Sequence, residues 1–366
     1  MLIFLAALII VSCVLEWLSL KDPLSRMRCS LTATKITVDP DEPFELVCVI
    51  ENTGLIPMSL VRVQLRLPAL TNVDEAASRA RGLHVRRPVI QSEPVVVESS
   101  HFIMPRRKLE CRFAMSLPRR GRFLMQSVQI QHGDFFGFRT EYGSLSCLAE
   151  VVALPRRAER SADVDALGGT MGEVSVRRFI MEDPVLTLGF REYTGAEPQK
   201  MISWSQSARA GRMMVKKYDY TIEPAATVLL NAEEGGEGAD PQLLERCFSL
   251  TRSVCELLEQ RHIKYGFFTN STAAGAFGLI GSVADGLGPG HLLAILEGLG
   301  RATYDITHSA GRLFDRAARK AEPGRCHILI TPTDTEQVRR SMHLLRERTG
   351  GQTFIIAASG GRLSGS

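Results

Sequence analysis

The stretch ATVLLNAEEGGEGADPQLLERCFSLTRSVCELLEQ, residues 226–260, decides how the chain is read. Its opening is a short apolar run without alternation, the pattern of a strand buried on both faces. Asp240-Pro241 follows as a helix N-cap and a first-turn proline. Leu243, Leu244, Cys247, Phe248, Thr251, Val254, Cys255 and Leu258 then recur at helical spacing. The same alternation continues downstream. KYGFFTN (264–270) and CHILITP (326–332) read as strands, and HLLAILEGLGRA (291–302) reads as a helix. Asp334 to Gln337 resembles a capping box opening a helix that carries Val338, Met342 and Leu345. QTFIIAAS (352–359) is the last strand. Strands alternating with helices predict an α/β, Rossmann-like unit with a parallel sheet over 224–359. Ligands of such sheets sit outside the carboxyl ends of the strands. Residues 360–366 read as a flexible tail.

Upstream, the period changes. SLTATKITV (30–38), FELVCVIEN (44–52), LVRVQLRLP (60–68), PVVVESSHFIM (94–104), KLECRFAMSL (108–117), GRFLMQSVQIQH (121–132) and LAEVVALP (148–155) are short β-rich runs, several alternating, punctuated by turn residues. They predict an antiparallel β-sandwich over 30–155. Arginines crowd this region, Arg79, Arg81, Arg86, Arg87, Arg106, Arg107, Arg112, Arg119, Arg120 and Arg122 among them. They read as a solvated basic face, or as attraction to anionic lipid. No recognition helix or aromatic stacking platform accompanies them, so nucleic acid is not an expected partner. The net charge of +4 is too small to argue otherwise.

The first residues, MLIFLAALIIVSCVL (1–15), are almost wholly apolar, with Trp17, Leu18 and Leu20 beyond Glu16. They predict a transmembrane anchor over 1–20, with Trp17 at the interface and the membrane lipid as its partner. A basic leader segment and a small-residue cleavage site are both missing, which disfavours the rival reading as a signal peptide. The first basic residues, Lys21, Arg26 and Arg28, follow the run, so the expected placement is a single pass through the inner (cytoplasmic) membrane with the remaining domains cytoplasmic. The eight cysteines are scattered without a CxxC pair, and read as reduced, buried thiols rather than zinc ligands.

Between the two patterned regions, 156–223, periodicity fails. Its centre, GFREYTGAEPQKMISWSQSARAGRMMVKKYDY (189–220), mixes rings, cations and small residues. The expectation is a segment that fastens the two domains, with Trp204 buried and Arg209 paired to an acid or to carbonyl groups. No histidine or serine falls into a catalytic spacing, no Gly-x-Ser-x-Gly elbow appears, and the glycine-rich stretches lack a Walker lysine. No enzymatic activity and no cofactor are therefore expected.

Within this central run, residues 189–216 resemble the signature of the bacterial domain of unknown function 58 family. Arg191, Tyr193, Pro198, Ile202, Trp204, Ser207, Ala208, Arg209, Gly211, Val215 and Lys216 stand at its positions, and Glu197 keeps the acid of its turn. Gly195 and Ala196 depart from the usual proline-glycine. LPRRGRF (117–123) and HGDFFGF (132–138) are similar to the family's preceding strand and strand end. The resemblance spans nearly the whole chain. It implies a membrane segment, a β-sandwich and a von Willebrand factor A-like domain, and it implies a MoxR-type AAA+ ATPase as partner. The expected function is a membrane-anchored, non-enzymatic interaction module.

An A-like domain carries an adhesion site in which aspartate, serines and threonine hold a divalent cation. Here the corresponding positions are Asn231, Glu233 and Asp334, with Glu234 beside them and both serines missing. Asparagine lacks the anionic charge that offsets cation desolvation, so the site reads as degenerate. The alternative function is a divalent-metal-dependent binding protein using these residues.

Overall fold

The computed structural model describes residues 24–90, 92–133, 140–158, 164–167, 187–195, 199, 202–218, 225–233, 240–275, 281–320, 322, 324–360 and 364–365, with 4, 5, 10–12 and 14. The chain divides into two compact units. The first holds Met1–Arg156 with Ala273–Gly278 and Leu296–Thr303; the second holds Arg157–Thr272, Leu279–Ile295 and Tyr304–Ser366.

The first unit is a β-sandwich. One sheet has the order β1 (Met27–Ala33), β3 (Phe44–Asn52), β8 (Lys108–Ser116), β5 (Asn72–Arg79). The other runs β2 (Thr37–Val38), β10 (Thr140–Ala153), β9 (Gly121–Gly133), β4 (Met58–Leu67), β7 (Val95–Ile103), β6 (His84–Arg86). Pairing is antiparallel except at the short β2, which runs parallel to β10. Alternation in the sequence becomes alternation in space. Along β3, Phe44, Leu46, Cys48, Ile50 and Asn52 are buried while their neighbours are only half-buried. The inward positions of both sheets, including Leu46, Phe113, Val63, Val97, Ile130 and Val151, form one core. Asn52 closes the end of β3: its amide donates to the carbonyls of Ile56 (2.9 Å) and Met104 (3.3 Å).

The second unit contains the ribbon β11 (Thr187–Glu192) and β12 (Met214–Tyr218), joined through helix α1 (Trp204–Ala210). It also contains a six-stranded sheet ordered β16 (Ser282–Gly286), β14 (Lys264–Thr269), β13 (Ala225–Leu230), β18 (Cys326–Thr331), β19 (Thr353–Ala357), β20 (Ser364–Gly365). Short strands β15 (Ser271–Ala273) and β17 (Ala302–Ile306) pair with each other. The helices are α2 (Pro241–Gln260), α4 (Ala310–Lys320) and α5 (Glu336–Thr349), and of α3 (Pro289–Arg301) the residues up to Ile295. Asp240 caps α2 through the Gln242 amide, with Pro241 in its first turn. Leu229, Leu329 and Ile355 pack with Phe268 beneath Leu313, Phe314 and Ala317 of α4 and Val338, Met342 and Leu345 of α5.

Two expectations are corrected here. The parallel-sheet, von Willebrand factor A-like domain expected here is not what forms. β14, β13, β18 and β19 are parallel, but both edges, β16 and β20, run antiparallel, and strands dominate the chain as a whole. A parallel neighbour needs a crossover of about a dozen residues or more, usually helical. After Thr269 the chain makes β15 and returns as β16 with no helix described between them, and apolar runs do not reveal strand direction. The transmembrane helix and the inner-membrane placement are also corrected: among the described residues no helix is long and apolar enough to cross a membrane. The apolar run ends at Leu15 before Glu16, short of the roughly 20 residues a span requires. Of residues 1–20 only Phe4, Leu5, Ile10, Val11, Ser12 and Val14 are described.

Candidate functional site

The chain leaves β13 through α2 to reach β14 on one side, and leaves β18 through α5 to reach β19 on the other. β13 and β18 are neighbours, so the sheet order reverses between them, which opens a crevice at their carboxyl ends. Asn231, just past β13, and Thr331, the last residue of β18, meet there: the Asn231 amide donates to Thr331 Oγ1 at 3.2 Å. Asn270, just past β14, donates to Asn231 Oδ1 at 2.8 Å and accepts from the Ala232 amide at 2.7 Å. Thr331 in turn donates to the Thr333 carbonyl at 3.2 Å. All three side chains are buried. Buried polar groups must be paired, and here they pair with one another and with nearby backbone.

A cleft of about 160 Å³ lies over this network, lined by Asn231, Glu233, Ala310, Thr331, Thr335 and Ser341 among others. Two helices begin at it. The Glu233 carboxylate accepts the Ala310 amide at the start of α4, where negative charge opposes the helix dipole. Thr335 caps α5, accepting the Val338 amide at 3.3 Å, so the cap is Thr335 and not Asp334. Asp334 lies beside it and binds Arg339 through both carboxylate oxygens, at 3.0 and 2.8 Å. Thus Asn231 and Glu233 come together, whereas Asp334 is committed to a surface ion pair; Glu234 lies outside the described residues. No group of three or more histidine, cysteine or acidic side chains among the described residues is arranged to hold a metal ion. Asn270 was not foreseen from the sequence. Its signal is that FFTN (267–270) ends as VLLN (228–231) does, an apolar strand followed by asparagine.

The signature segment builds a separate small module. Register places Arg191 opposite Val215 and Phe190 opposite Lys216 across the ribbon. Ile202 forms a bridge with Val215, and both are buried. Ser207 ties α1 to β12: its hydroxyl donates to the Ser203 carbonyl at 2.8 Å and accepts the Met214 amide at 2.8 Å. The Tyr193 amide donates to the Met213 carbonyl at 2.9 Å, while its side chain is half-buried. α1 ends at Gly211, whose φ of 66° is the left-handed cap that glycine adopts without strain. Lys216 is half-buried on β12. Glu197 and Pro198 lie outside the described residues.

The other half of the signature faces outward. Trp204 is 67% exposed, and Ala208, Arg209 and Arg191 are exposed as well. The expectation that Trp204 is buried is therefore corrected. Trp204 is the first residue of a seven-residue helix, and only the next inward position, Ser207, reaches β12.

No protein-family model matches the chain, and no curated protein matches it. Solved structures are similar over part of its length. The ASH/PapD-like domain of human CEP192 is 16% identical, over 37% of this chain and 87% of that one, at a TM-score of 0.22. A cohesin module from a Clostridium perfringens family 33 glycoside hydrolase is 16% identical, over 34% and 96%, at 0.23. The major pilin SpaD of Corynebacterium diphtheriae is 6% identical, over 37% and 38%, at 0.28.

Proposed function

We propose that this chain is a non-enzymatic protein-interaction module whose partner is a MoxR-type AAA+ ATPase, and that it belongs to the domain of unknown function 58 family. The observation that carries the reading is the exposed Trp204 at the head of α1, with the exposed Arg209 near the end of the same helix. A large ring left in water costs hydrophobic free energy that a docked partner recovers, and tryptophan and arginine are the residues most enriched where binding energy concentrates. The buried Ile202 and Val215, with the half-buried Ser207, hold α1 against the ribbon. The ATPase is named by the resemblance of the signature. The crevice beside Asn231 supports the same non-catalytic reading, because the buried Asn231, Asn270 and Thr331 are spent on one another.

The test is capture of a purified MoxR-type ATPase from the same genome on the immobilised full chain, with and without nucleotide. Trp204→Ala is expected to weaken capture about 30-fold or more, the effect of losing roughly 2 kcal/mol at a binding centre. Because the ring is exposed, the melting temperature should stay within about a degree or two of wild type. Capture that is absent in the wild type, or unchanged in Trp204→Ala, refutes the reading.

A further inference from the structure

Cysteines that are scattered in sequence are gathered by the sandwich. Cys29 on β1, Cys48 on β3, Cys111 on β8 and Cys147 on β10 all lie in its core or packed against it, and all are free. Register explains the gathering. Cys48 stands directly opposite Cys111, and Leu31 stands opposite Cys48, so Cys29 is the next inward-facing residue along β1. The sulfurs of Cys29 and Cys48 are 3.8 Å apart. On the other sheet, β10 shifts register between Ser146 and Ala149, so that Cys147 and Leu148 together oppose a single residue of β9. Such a bulge re-aims a side chain, and Cys147 packs against the same core as Cys29, on β10 where that strand meets β1. Cys111 pairs instead with His101 Nε2, at 3.2 Å. The four thiols are not equivalent in access: Cys48 and Cys111 are fully buried, whereas Cys29, on an edge strand, and Cys147 are half-buried.

We propose that Cys29 and Cys147 are a redox pair: Cys29 is the thiol that meets a hydroperoxide, and Cys147 resolves it into a disulfide between the two sheets. Cys48 is the positioning residue. It sits on the same sheet as Cys29, diagonally across the strand pair, where backbone separations of about 7–8 Å exceed what a disulfide spans without movement. Its sulfur sits within hydrogen-bonding distance of Cys29 instead, where it can donate to a Cys29 thiolate. That hydrogen bond, with a second from Cys147, holds the Cys29 thiol below the usual range against the opposing effect of burial. The thiolate is the nucleophile. It attacks the distal oxygen of ROOH, the O–O bond breaks, and the products are Cys29–SOH and an alkoxide that takes a proton to become ROH. The Cys147 sulfur then attacks the sulfenic sulfur, the S–O bond breaks, and the oxygen leaves as water with the Cys147 proton. In sum, two thiols and one hydroperoxide yield one disulfide, one alcohol and one water. Burial, and then the neighbouring Cys29 charge, push the Cys147 thiol up to about 11. Oxidation of Cys29 to the neutral sulfenic acid removes the second of these, so the Cys147 thiol ionises more readily once Cys29 is oxidised, although burial still raises it.

This pair is independent of the partner reading and is tested without any ATPase. The reduced full chain is treated with hydrogen peroxide, remaining thiols are alkylated, and tryptic peptides are mapped by mass spectrometry without reductant. The expected product is a Cys29–Cys147 linked peptide that dithiothreitol reverses. In Cys147→Ser the link is lost and Cys29 runs on to the sulfinic acid. In Cys29→Ser, Cys147 stays reduced. A Cys29–Cys48 link, a Cys29-linked dimer, or Cys29 reacting no faster than free glutathione overturns the proposal. The wild-type map stands by itself should either variant fold poorly.

Discussion

His327 stands in the middle of the six-stranded sheet, on β18 between β13 and β19, and is fully buried. Neither ring nitrogen meets a partner in good hydrogen-bonding geometry, although the Arg325 backbone lies near enough to oppose the shift slightly. Burial, reinforced by the Arg325 charge, pushes its pKa from 6.5 down to about 4. The sign follows from proton counting. Between pH 6.5 and pH 4 the unfolded chain protonates this ring and the folded chain does not, so stability falls as pH falls through that window. The loss approaches about 3 kcal/mol below the lower value. His327→Leu removes the titration. Chemical unfolding from pH 7 to pH 4 is expected to show the wild type losing stability faster than the variant, with the gap opening below pH 6.5. Parallel curves would mean that the ring is protonated in the folded state.

At the scale of the element, the β11–α1–β12 module depends on one hydroxyl. Ser207 satisfies the Met214 amide and the Ser203 carbonyl together, one turn on from the exposed Trp204. Ser207→Ala leaves the Met214 amide without that partner, at a cost of about 1–3 kcal/mol, and the measurement is amide exchange along β12. Protection there should fall while β13 and β18 keep theirs; unchanged protection would mean that water replaces the hydroxyl. The contrast between Ser207 and Trp204 shows what the sequence could and could not reveal. Mixed composition marked the segment as unusual, but side-chain burial in a helix of two turns is set by the strand it leans on. A large ring in an aperiodic stretch read as core, and it faces out. The Asp240 cap, by contrast, needs only local backbone and was legible. The cysteine cluster was not: its members come from four strands, and only pairing and register bring them together.

Across the whole molecule, each unit is built around its own core. The sandwich core draws on both sheets around Leu46, Phe113 and Ile130, while Leu229, Leu329 and Ile355 pack beneath α4 and α5 in the second unit. The sandwich was readable because along strands such as β3 and β7 inward positions alternate with outward ones. The direction of the edge strands in the second sheet was not, because pairing direction depends on how the chain returns and not on which residues are apolar. Separate cores make a differential prediction. Phe113 is fully buried on β8, and Phe113→Ala leaves a cavity at a cost of about 3–5 kcal/mol. Hydrogen exchange is expected to quicken across β3, β4, β8 and β9, whose amides report that core. Amides of β13, β18 and β19 report the other core, and should keep their protection under the same conditions. Leu329→Ala should give the mirror result, at about 2–5 kcal/mol. Loss of protection in both sets from either substitution would show that the two cores open together, and would make the chain a single cooperative unit.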